Sequence, residues 1–529
     1  MSVRVGRFVA GLLALCLVCP AAAPAVGAAG ADGDGTRPPR VVAVYPNPTA
    51  GGDAGEYVLV DPNGARNLTL SDGEDAVAVP AATEPVALTP DPDAAADLTD
   101  RRTVAAGLSL SNGGERLRLR RDGRTVDTLA YEDAPEAERY TPEGWRPFGY
   151  EPRDVRAFGP ANATAFVLPD APGVPVETLR SAEDRVLLAG YTLTSERVAD
   201  ALVAAARRSV TVRVLVEGEP VGGLSRREAA VLDRLTRNGV AVRVLTGPRE
   251  RFAFHHPKYA VVDDRALVLT ENWKPSGTGG RDNRGWGVRI DARPVAADLA
   301  GLFTRDFAAH DARRWTAFRR NRTFPTAGTA EGSYPSRFAP ERVRPRRVRV
   351  LTAPGNAEGA VVDVVDGAER RVDVVQPSLG GVDTPLVRSL RRAAERGVRV
   401  RVLLSGAWYV EEENRALVER LNALASRRDI PLEARVADPN GRYGSVHAKG
   451  VVADDVALVG SLNWNVDAAR ENREVVLALT GEDVAAYYRE VFAADWRGGA
   501  GTPPAGLTLV AAVAVGLALA YLRRRVSFD

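Results

Sequence analysis

Apolar and polar positions change rhythm along the chain, and from about residue 171 the same rhythm runs twice. The first copy predicts a strand at Arg185 to Ala189, a helix at Ser195 to Arg208, a strand at Val210 to Glu217, a helix at Ser225 to Asn238 and a strand at Val240 to Leu245. The second repeats that order at Val372 to Gln376, Thr384 to Arg396, Val398 to Leu404, Glu411 to Ser426 and Leu432 to Val436. Alternating strand and helix units of this length imply an α/β fold, with helices covering a mixed or parallel sheet in each copy. The two copies, over 171–318 and 346–497, are expected to form one pseudo-two-fold unit of tandem α-β-α repeats.

Ahead of them the period is two. Arg116-Leu-Arg-Leu-Arg alternates strictly, Asp122-Gly123 supplies a hairpin turn, and Val41-Val-Ala-Val, Glu56-Tyr-Val-Leu-Val and Leu68-Thr-Leu are short β-rich runs between turn residues. Residues 38–150 are therefore expected to form a small all-β sandwich. Between the copies, residues 319–345 are rich in Arg, Pro, Gly, Ser and Thr and read as a linker.

The chain ends add targeting signals. Arg4 and Arg7 precede an apolar run from Phe8 to Val18 and a small-residue stretch, the layout of a signal peptide over 1–29. Residues 505–522 are apolar, small or Thr, enough for a single transmembrane helix, and Arg523, Arg524 and Arg525 follow at once. The positive-inside rule keeps those arginines cytoplasmic, so an exported catalytic region with a membrane anchor is expected. The sequons at Asn67, Asn162 and Asn321 are compatible with export. Both cysteines, Cys16 and Cys19, fall inside the signal, which excludes a disulfide framework or thiolate metal site from the processed chain.

Net charge of +2 makes no case for a polyanionic partner, but the use of lysine does narrow the chemistry. Among 70 basic residues only Lys258, Lys274 and Lys449 are lysines, and there are four histidines. Two of each fall in a repeated segment, His256-Pro-Lys258-Tyr-Ala-Val-Val-Asp263 and His447-Ala-Lys449-Gly-Val-Val-Ala-Asp454. The copies stay in register beyond it: Asp264-Arg-Ala-Leu-Val-Leu-Thr-Glu-Asn-Trp273 aligns without a gap on Asp455-Val-Ala-Leu-Val-Gly-Ser-Leu-Asn-Trp464. His and Lys two apart on an extended segment share a face. Two copies about a pseudo-two-fold would thus gather two His, two Lys and the two Asn, Asn272 and Asn463, in one phosphate-sized pocket.

These residues resemble the phospholipase D superfamily, whose tandem-repeat members the two halves match in pattern. The resemblance implies a phosphodiesterase that needs no metal or other cofactor: one histidine attacks phosphorus, and the other protonates the leaving alcohol and then activates water or an acceptor alcohol. By family analogy His256 is the nucleophile and His447 the acid. It also implies Lys258, Lys449, Asp263 and Asp454 as motif members, with Asn272, Asn463, Thr270 and Ser461 about the phosphate. Asp263 and Asp454 are themselves better suited to bracing the fold than to chemistry. Glu474, in Glu471-Asn-Arg-Glu474, matches the family's histidine-orienting carboxylate. The first copy departs from the pattern, with Asp282-Asn-Arg-Gly285, and Glu271 or Asp282 are the candidates to replace the missing acid.

Val44-Tyr-Pro-Asn-Pro, Glu56-Tyr-Val, Leu110-Ser-Asn-Gly-Gly-Glu, Gly123-Arg-Thr-Val-Asp and Tyr131 resemble the lamin-tail domain, an immunoglobulin-like module, which implies a binding or positioning role. Phospholipid and nucleic acid both remain open as the substrate, the anchor favouring lipid. The competing readings are an inactive scaffold, a zinc enzyme, which lacks converging ligands, and a serine hydrolase, which lacks the nucleophile elbow. His255, one residue out of register, and His310 are expected in packing or surface roles, and Trp273 and Trp464 in the core.

Overall fold

The computed structural model describes residues 37–498, apart from 49–51, 143, 150–152 and 248–249. The signal and membrane-anchor segments expected at 1–29 and 505–522 lie outside the described residues. Among the described residues no helix is long and apolar enough to cross a membrane.

Residues 40–147 form two β-sheets. One orders Gly144–Pro147, Glu138–Thr141, Arg40–Tyr45, Tyr57–Asp61, Val86–Thr89 and Arg102–Ala105, and the other Ala76–Val79, Leu68–Ser71, Gly114–Arg121 and Arg124–Glu132. Alternation along Gly114–Arg121 sends Leu117 and Leu119 inward, where they meet Val44, Val58 and Val60 of the facing sheet. The hairpin closes at Asp122 and Gly123, both at positive φ (47° and 80°), the conformation a two-residue turn of the right twist requires.

The remaining chain builds two mixed sheets of like order. In the first half, Ala241–Leu245, Thr211–Glu217 and Arg185–Gly190 run parallel, followed by the antiparallel strands Tyr259–Val262, Arg265–Leu269, Asn283–Asp291 and Asn162–Leu168. In the second, Leu432–Val436, Arg399–Leu404 and Arg371–Gln376 are parallel, and Gly450–Ala453, Val456–Gly460, Glu474–Thr480 and Arg347–Ala353 complete the sheet. The first sheet recruits Asn162–Leu168, ahead of the expected start at 171, and Glu341–Val343 from the expected linker. Sheet pairing over both segments is the physical reason those boundaries shift.

Helices cover the outer faces, and three of them are held at the start by a side chain from the turn before: Ser195, Ser225 and Thr384 accept from the backbone N–H three residues on. On the inner faces, Arg293–Ala308 and Glu482–Arg497 lie in a single apolar core that takes side chains from both sheets, including Trp286 stacked on Tyr488 at 4.6 Å. The two halves are therefore not separate beads. They share a middle layer, and that layer fixes the geometry of the site.

Candidate active site

Each His-x-Lys segment leads into the antiparallel strand beside the last-named parallel strand of its half, so both emerge at the sheet edge where Arg185–Gly190 and Arg371–Gln376 end. Each then crosses to the other half. His256 N–H donates to the Arg473 carbonyl at 3.0 Å, and the N–H groups of His447 and Ala448 donate to the Arg284 carbonyl at 3.0 and 2.9 Å. The crossings are held by buried ion pairs, Arg284 with Asp170 and Asp495, and Arg473 with Asp306, which also binds Arg251. Arg284 with Asp495, and Arg473 with Asp306, each tie one half to the other. These arginines and aspartates were not singled out from the sequence, where a buried Arg looks like any of its many exposed copies.

The imidazoles are oriented by carboxylates of the opposite half. His256 Nδ1 lies 2.8 Å from Glu474 Oε1, and His447 Nδ1 lies 3.1 Å from Glu271 Oε1, both carboxylates being fully buried. Glu271 thus stands where the first-half pattern lacks an acid. The strand pairing explains the substitution. Leu269 faces Gly287 across one hairpin and Gly460 faces Val476 across the other, so 271 faces 285, and 462 faces 474. One half carries Glu271 opposite Gly285, and the other Leu462 opposite Glu474. A Cβ at 285 would stand 2.1 Å from Glu271 Cγ, so glycine is the residue that leaves the relocated carboxylate its space. Asn283 Nδ2 steadies the other oxygen of Glu271 at 2.9 Å.

Lys258 and Lys449 are buried, and each donates to the carbonyl of its own motif histidine, at 2.5 and 2.7 Å. Lys449 Nζ also sits 3.2 Å from His447 Nε2. Tyr191 packs edge-on against His256, ring centroids 4.8 Å apart. Burial, then the ammonium groups of Lys258 and Lys449, hold His256 well below its ordinary pKa. Burial followed by Lys449 brings His447 down to about 4, and burial lowers Lys449 to about 8. Burial pushes Glu474 up to about 8 against the pull of Lys258. Burial is the largest cause of each of these shifts, and the lysines and carboxylates packed around the two imidazoles supply the rest. Asn272 is buried with its Oδ1 unpartnered among the described residues, and Asn463 is half-buried.

Other motif residues sit elsewhere in the fold. Asp263 and Asp454 lie at the far end of their strands, about 16 Å from the lysines by strand rise. There each clasps three successive backbone N–H groups, of Glu183, Asp184 and Arg185 and of Glu369, Arg370 and Arg371. The Thr270 and Ser461 hydroxyls are fully buried and accept from the N–H of Trp286 and of Val475, latching strand ends where phosphate contact was expected. His255 is buried, Trp273 and Trp464 are in the core, and His310 is exposed just beyond its helix.

A family model described as "Cardiolipin synthase, PLD-like domain" matches residues 176–307 and 361–496. The mitochondrial cardiolipin hydrolases of Xenopus tropicalis and Canis lupus familiaris are each 30% identical over 113 residues, 21% of this chain. That stretch is 49% and 40% of their lengths, so the chain spans about half or less of the curated relatives it matches. Among solved structures, phosphatidylserine synthase of Haemophilus influenzae Rd KW20 aligns over 63% of this chain and 86% of its own, with 15% identity and a TM-score of 0.47. Nuc, a phospholipase D family member from Salmonella typhimurium, aligns over 29% of this chain and 97% of its own, with 21% identity and a TM-score of 0.26. The two stretches matched by the family model make up about half of the chain, and each contains one His-x-Lys-x4-Asp segment. The chain belongs to the phospholipase D superfamily, with two PLD-like repeats of the cardiolipin synthase type.

Proposed function

We propose that this chain is a phosphodiesterase of phospholipase D type that hydrolyses or transfers phospholipid phosphodiesters, with His256 as nucleophile and His447 as general acid. The observation that carries the reading is the pair of imidazoles, each oriented through Nδ1 by a buried carboxylate of the opposite half, beside two buried lysines. With Nδ1 engaged, Nε2 of a neutral His256 is free to attack phosphorus. The bond to the leaving alcohol breaks as its oxygen takes the Nε2 proton of His447. His447 then accepts a proton from water or an alcohol, whose oxygen displaces the histidine from phosphorus. Lys258, Lys449, Asn272 and Asn463 meet the charge on the non-bridging oxygens. The negative charge of the bound substrate restores the proton affinity that burial removes from His447, so the acid form is favoured when it is needed.

Phospholipid is favoured as substrate by the description of the matching family and by the names of the curated relatives. Turnover by the purified chain in EDTA, on mixed phospholipid vesicles and on single-stranded DNA, tests this reading, with His256→Asn and His447→Asn as controls. Lipid cleavage lost in both variants is the expected result. Cleavage of DNA alone would make the chain a nuclease of the same superfamily, and no cleavage of either would leave a scaffold. The same reading puts the reaction outside the membrane, supported by the signal-like and anchor-like runs at the two ends of the sequence; protease accessibility on intact cells tests that. It also takes residues 38–150 as a lamin-tail-type binding module, on the motifs already quoted.

A further inference from the structure

Five large apolar side chains are exposed among the described residues, and three of them fall on two related loops. Trp408 is 88% exposed and Tyr409 56%, in the loop that follows the strand Arg399–Leu404. Val221 is 80% exposed, in the loop that follows Thr211–Glu217, the corresponding strand of the first half. Both loops rise from the sheet edge that carries the His-x-Lys segments.

Neither loop is slack. In the second half, Ala407 N–H donates to the Ser405 hydroxyl at 3.2 Å and Val410 N–H to the Ala407 carbonyl at 2.9 Å. Buried Asn414 holds the Ser405 carbonyl at 2.8 Å. The two rings stand edge to face, centroids 5.7 Å apart, presenting one unit. In the first half, Val221 N–H donates to the hydroxyl of Tyr191, whose ring packs on His256, so this loop is one residue removed from the reacting imidazole. Burial, then the carboxylates of Glu271 and Asp282, raise the pKa of Tyr409.

Beside Val221 lies a cleft of about 480 Å³ lined by Arg227, Lys274 and Glu228. The carboxylate of Glu228 is occupied by the Leu193 N–H at 2.6 Å, and Arg227 is held at the rim by Thr329 at 2.7 Å. The sheet edge that carries the site therefore shows apolar tips on two loops related by the pseudo-two-fold, with Arg227 and Lys274 in the cleft beside Val221. A strand of nucleic acid is met by successive aromatic platforms along a basic track. Here one of the exposed tips is a valine, which cannot stack on a base but can enter the acyl boundary of a bilayer, and Trp and Tyr prefer that boundary.

We propose that Trp408 and Tyr409, with Val221 on the companion loop, seat the active site on an anionic phospholipid surface. The proposal deepens the phospholipid reading of the function and rests on it. The full chain is mixed with vesicles of about one third phosphatidylglycerol in brominated phosphatidylcholine, bromine quenching any tryptophan that enters the bilayer. Trp273, Trp286, Trp315, Trp464 and Trp496 are buried and Trp145 is half-buried in the β domain, so most of the quenched emission is expected to be lost in Trp408→Phe. Equal quenching in Trp408→Phe, or none in the wild type, overturns the proposal. In a second arm, the ratio of turnover on vesicles to turnover on a monomeric short-chain phosphodiester is expected to fall at least about tenfold in Trp408→Ala/Tyr409→Ala. A ratio that stays constant overturns it, as does a loss confined to single-stranded DNA, which would make the rim a base-stacking platform. Quenching without phospholipid turnover would sink the proposed function while leaving the interface, and turnover without quenching would do the reverse.

Discussion

Glu271 and Gly285 make a residue-scale test of the site possible, because the second half shows the same chemistry with the positions exchanged. Removing the carboxylate in Glu271→Leu should lower kcat on a soluble phosphodiester roughly 10²-fold by releasing His447 from its orientation. Gly285→Glu alone should fold poorly, since its side chain and Glu271 claim one volume. The double variant Glu271→Leu/Gly285→Glu reproduces Leu462 opposite Glu474 and should recover most of the lost kcat; no recovery would mean that Glu271 acts in some other way. A second prediction concerns His255, whose ring nitrogens have no hydrogen-bond partner among the described residues. Burial pushes its pKa down to about 3, so between its ordinary 6.5 and that value the unfolded chain binds a proton that the folded chain refuses. Its contribution to stability is therefore lost as pH falls through that window, by up to about 1.4 kcal/mol per unit. His255→Leu should remove this slope, so its urea midpoint, compared with the wild type at about pH 7 and about pH 5, should gain relative stability at the lower pH.

At the scale of elements, the His-x-Lys-x4-Asp segment divides into a chemical end and a structural end. A strand needs several residues to cross the sheet, so one stretch can deliver His and Lys at one edge and a backbone clasp at the other. Asp263 and Asp454 both adopt positive φ, at 53° and 48°, in the turn that joins the motif strand to the next. Replacing Asp263 with Ala leaves three N–H groups without their acceptor and should cost about 2 to 3 kcal/mol, read as a lower denaturation midpoint. The kcat of the molecules that remain folded should change little. A fall in kcat with unchanged stability would restore Asp263 to the chemistry.

For the whole molecule, the shared middle layer makes the two halves one folding unit and aligns the two imidazoles. Asp306 is fully buried between Arg251 and Arg473, and loses water on every side. Asp306→Ala removes the carboxylate that Arg473 and Arg251 share in the interior, although Arg251 keeps Asp311, and should cost about 3 to 5 kcal/mol, measured by chemical denaturation. Because Arg473 also carries the carbonyl that receives His256 N–H, turnover should fall even under conditions where the variant is folded. One denaturation transition is expected for the two repeats together; two separate transitions would contradict the continuous core.

The sequence by itself determined which residues could do the chemistry and that they come in two copies. Strand and helix periods repeat with the motif, rare lysines mark the anion site, and Glu474, Asn272 and Asn463 follow at fixed offsets, all consequences of local order. Alternation and the Asp122-Gly123 turn made the β domain equally readable, since a strand's two faces and a hairpin's φ values are local properties. Tertiary structure alone decided which carboxylate serves which histidine, because those bonds run between halves: Glu474 reaches His256 and Glu271 reaches His447. It also set the Thr270 and Ser461 hydroxyls at backbone latches, where the resemblance implied phosphate contact, although they sit in the same motif register as Asn272 and Asn463. Register places a side chain on a face of its strand, but how far along that strand the partner half arrives depends on two sheets closing over common helices, and no stretch of sequence contains that distance.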